Sequence, residues 1–191
     1  MSMFRILLLS SLCAFNVQAE DLLGGFGDSP DLGESIDGTF LKSFDYVILP
    51  NGDGLPTGGG DALEGAQIYV KYCETCHGAE GAGRPNDRLS GGVGSIDSAA
   101  PLRTVGSYWP YATTLLDYVR RAMPYTNPGT LSNNELYAIT AYVLNINGIV
   151  EKNEWMDADS LPRVRMPNED GFESALGDHS VKFRRETLHH Q

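Results

Sequence analysis

The sequence predicts an all-α domain over residues 61–148, flanked by irregular N- and C-terminal extensions. Two capping-box signals, at Asp61/Glu64 and Ser132/Glu135, each open a run of apolar residues at helical spacing. Between them lies a long stretch with seven glycines between 78 and 107 and no regular period.

The first helix runs from the Asp61 cap through Ala66, Ile68, Tyr69 and Tyr72. Pro110 can occupy the first turn of a second helix. The buried stripe of that helix would be Leu115, Tyr118 or Val119, and Ala122. Pro124 ends it and drives Met123 out of the α region into an extended backbone. The third helix follows Ser132, with Leu136, Ile139, Val143 and Ile146 on a single apolar face and Gly148 as terminator. Gly65 facing Tyr142 would let the first and last helices cross closely.

Outside this domain the chain reads differently. Met1 to Arg5 form a short basic start, Ile6 to Phe15 an apolar run, and Val17-Gln18-Ala19 a small-residue ending. Residues 1–19 are therefore expected to be a signal peptide cleaved near Ala19, with export to the periplasm and no membrane span left after cleavage. Removing 19 of 191 residues leaves 172, and loss of Arg5 moves the charge from −11 to −12. Residues 20–60 are rich in Gly and Asp and read as turns around one candidate strand, Asp45 to Leu49. Residues 149–191 are polar and proline-containing. They read as a tail laid over the surface or partly disordered, whose removal is expected to spare the domain.

Acidic residues outnumber basic ones 25 to 14. That balance argues against nucleic acid or an anionic membrane as the partner, and suits either docking on a basic patch or simple solubility. Cleavage also removes Cys13. The remaining cysteines, Cys73 and Cys76, are either a disulfide or a shared attachment point.

The histidine beside Cys76 favours attachment. Cys73-Glu74-Thr75-Cys76-His77 is the c-type haem attachment motif. Two thiols three residues apart at the end of a helix can each reach one vinyl group of a single porphyrin. The adjacent imidazole then lies beneath the iron. A disulfide or a thioredoxin-like pair would leave His77 accidental, and the latter would want a βαβ setting rather than a capped helix. Zinc would need more ligands, and the other histidines, His179, His189 and His190, all sit in the tail. One motif implies one covalent haem c.

Met123, 46 residues after His77, is the candidate sixth ligand, since a thioether opposite histidine suits an electron carrier. Met156 and Met166 compete, but lie beyond the last helix. Arg103, Tyr108, Trp109 and Tyr111 are candidates to wall the haem or bond its propionates, with ordinary packing the rival reading for each.

Residues 61–148 resemble a class I cytochrome c: a helix into Cys-x-x-Cys-His, a long loop, Met-Pro and a terminal helix. Closer similarity lies in LRTVGSYWPY at 102–111, LLDYVRRAMP at 115–124 and LYAITAYVLNING at 136–148, with Gly54-Leu55-Pro56 upstream and VRMPNEDG at 164–171 downstream. Over roughly residues 40–172 the chain resembles the cytochrome subunit of bacterial sulfur and sulfite dehydrogenases, including the haem subunit of the Sox sulfane-sulfur dehydrogenase. The resemblance implies haem on Cys73 and Cys76, and iron ligation by His77 and Met123. It also implies a molybdenum-cofactor dehydrogenase subunit as electron donor and a downstream cytochrome or terminal oxidase as acceptor. Some members of that branch carry two haems on a longer chain, whereas this chain has a single motif.

Three functions are compatible with these features. The chain is an electron-transfer subunit of a periplasmic sulfur-compound dehydrogenase, a freely diffusing carrier serving several oxidoreductases, or an enzyme acting at an open haem face. The first is expected. A His/Met iron leaves no open coordination site for the third.

Overall fold

A computed structural model describes residues 35–44 and 47–173, which divide into two units at Phe44/Asp45. The signal-like segment 1–19, residues 20–34 and the three tail histidines lie outside the described residues.

The first unit contributes helix α1 (Gly38–Phe44), within the extension read as helix-free. Asp37 starts it, its carboxylate accepting the Thr39 and Phe40 N–H groups at 2.8 and 2.9 Å. At seven residues α1 is too short for a helical period to show in the sequence.

The second unit runs through β1 (Gly59–Gly60), α2 (Ala62–Tyr72), α3 (Glu74–His77), α4 (Val105–Tyr108), α5 (Ala112–Ala122), α6 (Asn133–Asn145) and β2 (Met156–Asp157). Single 3-10 turns follow α3 and β2, at Ala79–Gly81 and Leu161–Arg163. The strands form one antiparallel bridge, Gly59 opposite Asp157 and Gly60 opposite Met156, in an otherwise helical unit.

Both predicted capping boxes sit at helix starts. Asp61 accepts the Glu64 N–H at 2.9 Å to begin α2. Ser132 and Glu135 satisfy each other reciprocally to begin α6. α5 starts two residues later than Pro110, with Tyr111 as its N-cap. α4 falls in the stretch read as loop. Its own box pairs Thr104 with Ser107, a shorter partner than the Glu or Gln that marks such starts in sequence.

α6 is the centre of the unit and packs against α2, α4, α5, β1 and β2. The sequence shows one apolar stripe, yet every residue from Leu136 to Ala141 is buried, with Val143 and Leu144. Tyr137 and Thr140 are tolerated there because their hydroxyls donate to Pro56 O (2.8 Å) and Leu136 O (2.7 Å). Each fully buried leucine (Leu116, Leu136, Leu144) contributes roughly 1.5–3 kcal/mol by leaving water.

The α2–α6 crossing is as close as Gly65 suggested. A methyl group there would overlap the Ala138 carbonyl oxygen and come within 2.8 Å of Tyr142 Cβ. The Tyr69 and Tyr142 rings meet beside it at 4.9 Å between centroids.

The flanks complete the core. Residues 47–49 are not a strand. Ile48 is buried, and its N–H goes to the Asp117 carboxylate, while the Leu49 N–H closes a turn onto Asp53 O. Residues 45–46 lie outside the described residues. Beyond 148, Val150, Met156, Leu161, Val164 and Met166 are all buried in the same core as α6. The segment 149–173 is thus part of the fold rather than a surface tail, and deleting it would strip those five side chains. Its apolar residues are spaced for an irregular path, so neither period betrays them.

Candidate haem site

The attachment motif occupies one helical turn. Cys73 is the C-cap of α2, its N–H donating to Tyr69 O at 2.8 Å. The N–H groups of Cys76 and His77 both return to Cys73 O, at 3.1 and 2.9 Å. Residues three apart on a turn share a face, so both thiols serve one side while His77 comes directly after.

The glycine-rich loop has a specific task here. Gly78 ends α3 at φ 74°, ψ 167°, a region open essentially only to glycine, and an added Cβ would sit 2.6 Å from Gly83 O. The chain turns back and is pinned by Gly83 N–H to His77 O (2.6 Å) and Asn86 N–H to Cys76 O (2.8 Å). That return brings the Asp87 carbonyl oxygen to 2.7 Å from His77 Nδ1. A carbonyl only accepts, so Nδ1 carries the proton and Nε2 keeps its lone pair for a metal. Asp87 was not singled out in the sequence, because a backbone acceptor leaves no residue-type signal.

Burial pushes the Cys73 thiol up to about 11, and the nearby Cys76 adds to the shift. A redox-exchange cysteine needs the opposite shift, since the thiolate is the attacking form. This environment speaks against Cys73 as the activated nucleophile of a thioredoxin-like pair. Both cysteines are free thiols and half-buried.

Met123 is half-buried and is the C-cap of α5, its N–H donating to Val119 O at 3.0 Å. Its backbone is extended at φ −127° and ψ 146°, as the following proline requires. The rivals are placed differently. Met156 is 0% exposed opposite Gly60, and Met166 is 2% exposed. Protein atoms enclose both thioethers, whereas Cys73, Leu89, Trp109 and Met123 are partly open side chains on the same core.

The aromatic candidates separate. Trp109 packs on the core and meets Tyr118 edge-to-face at 5.7 Å. Tyr108 is exposed, with the Arg103 guanidinium 5.6 Å over its ring and Phe172 at 5.2 Å. Tyr111 is the half-buried N-cap residue of α5, and its side chain makes no capping hydrogen bond. A residue missed in the sequence is Asp117, a buried carboxylate on α5 that accepts the Ile48 N–H at 3.1 Å and pairs with Arg121.

These residues fit a covalently held haem: two unpaired thiols on one turn, an imidazole with its Nε2 free, and a partly open thioether. Comparison with known proteins agrees. Residues 60–143 match the family model described as cytochrome C oxidase, cbb3-type, subunit III. The thiosulfate dehydrogenase of Psychrobacter arcticus is 25% identical over 143 residues, covering 70% of this chain. The chain spans only 38% of that protein's length. The crystal structure of the sulfane dehydrogenase SoxCD from Paracoccus pantotrophus superposes with a TM-score of 0.73 at 36% identity, covering 81% of this chain and 76% of that one. With the attachment motif in one turn and its histidine oriented for a metal, this shared fold shows that the chain belongs to the c-type cytochromes, a haem c-binding family, and to the relatives of SoxCD within it.

Proposed function

We propose that this chain is a monohaem electron-transfer subunit of a periplasmic dehydrogenase for sulfur compounds, sulfane sulfur or sulfite. Its donor is a molybdenum-cofactor dehydrogenase subunit, and its acceptor is a downstream cytochrome or terminal oxidase. Cys73 and Cys76 would hold the porphyrin through thioethers, and His77 Nε2 and Met123 Sδ would ligate its iron. Bound haem supplies a one-electron redox centre.

The chain's own residues do the rest. The Asp87 carbonyl fixes the His77 ring and leaves the Nε2 lone pair for a metal. The extended backbone at Met123 ends α5 at the candidate thioether. A thioether opposite histidine favours the reduced state and so suits a carrier. The sulfur chemistry belongs to the partner, because two protein ligands leave the iron no coordination site for a substrate.

The observation that carries this reading is the motif turn with His77 oriented by Asp87. Likeness to SoxCD supports the partner class and the substrate class. The test is isolation from the native cell under gentle lysis. A molybdenum protein should co-elute and, given the sulfur compound, reduce this cytochrome. A cytochrome that elutes alone and accepts electrons equally from unrelated donors is a mobile carrier instead.

A further inference from the structure

Asp117 is 5% exposed in the middle of α5, where an ionised carboxylate is costly unless both oxygens are engaged. Both are. Oδ1 accepts the backbone N–H of buried Ile48 at 3.1 Å, and Oδ2 pairs with Arg121 one turn on. One turn earlier, the Thr113 hydroxyl donates to Pro50 O at 3.1 Å. Residues 48–50 are therefore clasped along one side of α5 at two successive turns. The Asp117–Arg121 pair then spans the last turn before the helix ends at Ala122.

Met123 stands six residues beyond Asp117, about 9 Å along the axis at 1.5 Å per residue. Past Met123 the chain is held by local turn bonds, Asn127 N–H to Pro124 O at 2.9 Å and the Thr130 hydroxyl to Asn127 O at 2.9 Å. Pro124 has no N–H to give, and residues 125–130 are all exposed, Tyr125 at 81%. A helix end with an exposed loop after it frays unless its final turn is held from within. Here the Asp117 carboxylate adds its clasp on Ile48 and Arg121 to the Met123 N–H bond with Val119 O.

We infer that Asp117 is a positioning residue for the Met123 thioether: by clasping Ile48 and Arg121 it fixes the last turn of α5, and so the presentation of Met123. This rests on the reading of Met123 as an iron ligand. It predicts that loosening the clasp raises the fraction of molecules in which the thioether has left the iron, without disturbing the attachment turn.

Imidazole binding to the oxidised holoprotein reads that fraction, because imidazole can bind only where the thioether has left. Asp117→Asn keeps an acceptor for Ile48 but loses the charge facing Arg121. Asp117→Leu loses both. The apparent imidazole affinity should tighten about threefold in the first and about tenfold or more in the second. If Asp117→Leu fails to fold, Asp117→Asn decides. The control is Tyr137→Phe, which removes the bond to Pro56 farther along the same segment. It should lower the urea midpoint and leave imidazole affinity within about twofold of wild type. Unchanged affinity in the Asp117 variants, or an equal change in Tyr137→Phe, overturns the proposal. A wild type that lacks the thioether-to-iron band and binds imidazole as tightly as Met123→Leu overturns the ligand reading itself, and the positioning role with it.

Discussion

His77 Nδ1 lies 2.7 Å from the Asp87 carbonyl oxygen, a bond made possible by the turn at Gly78. That contact fixes the tautomer and the orientation of the imidazole. Gly78→Ala would push against Gly83 O and pull the Asp87 carbonyl away. An imidazole that has lost this acceptor donates less to the iron and stabilises its oxidised state less, so the midpoint potential of Gly78→Ala should rise. Redox titration checks it, and a fall would contradict the assignment.

The three methionines give a clean comparison. Met123→Leu should abolish the thioether-to-iron band near the red edge of the visible spectrum. Met156→Leu and Met166→Leu should retain it and cost under about 1.5 kcal/mol, as volume-conserving core changes do. Persistence of the band in Met123→Leu would sink the ligand assignment.

Gly65→Ala tests the α2–α6 crossing. The added methyl meets backbone at Ala138 rather than a movable side chain, so the helices must separate. A loss of about 1–3 kcal/mol is expected in urea unfolding. Gly148→Ala is the contrast. At φ +71° with nothing within 4 Å of its added Cβ, it carries only backbone strain, about 1 kcal/mol.

The starts of α2 and α6, the Gly65 contact and the extended Met123 were legible in the sequence, because caps, glycine and proline act locally. The attachment turn was legible because its chemistry needs fixed residue types at fixed spacing. The Asp87 carbonyl was not, since any residue supplies one. Asp117 looked like an ordinary polar position on α5; only the return of Ile48 from 69 residues away makes its burial sensible. The same holds for Met156 and Leu161, buried by an irregular chain path that leaves no period.

The cap of α6 predicts a pH dependence. The Ser132 backbone N–H, 2.8 Å from the Glu135 carboxylate, together with the Ser132 hydroxyl, holds that carboxyl below its ordinary 4.5. A lowered folded value means stabilisation present above 4.5 and lost as pH falls through the folded value. Glu135→Gln should therefore be slightly less stable than wild type at neutral pH, by under about 1 kcal/mol at this largely exposed site. The urea-midpoint gap should close on acidification. A gap that widens toward low pH would contradict this.

Every role assigned to these residues depends on porphyrin joined to Cys73 and Cys76. The protein should be made in a host with haem-ligation machinery, denatured, extracted with acidified solvent and weighed intact. Colour that stays with the polypeptide, and a mass increase equal to a single haem, is the result expected. Colour that passes into the solvent, or a mass equal to the bare chain, would contradict it.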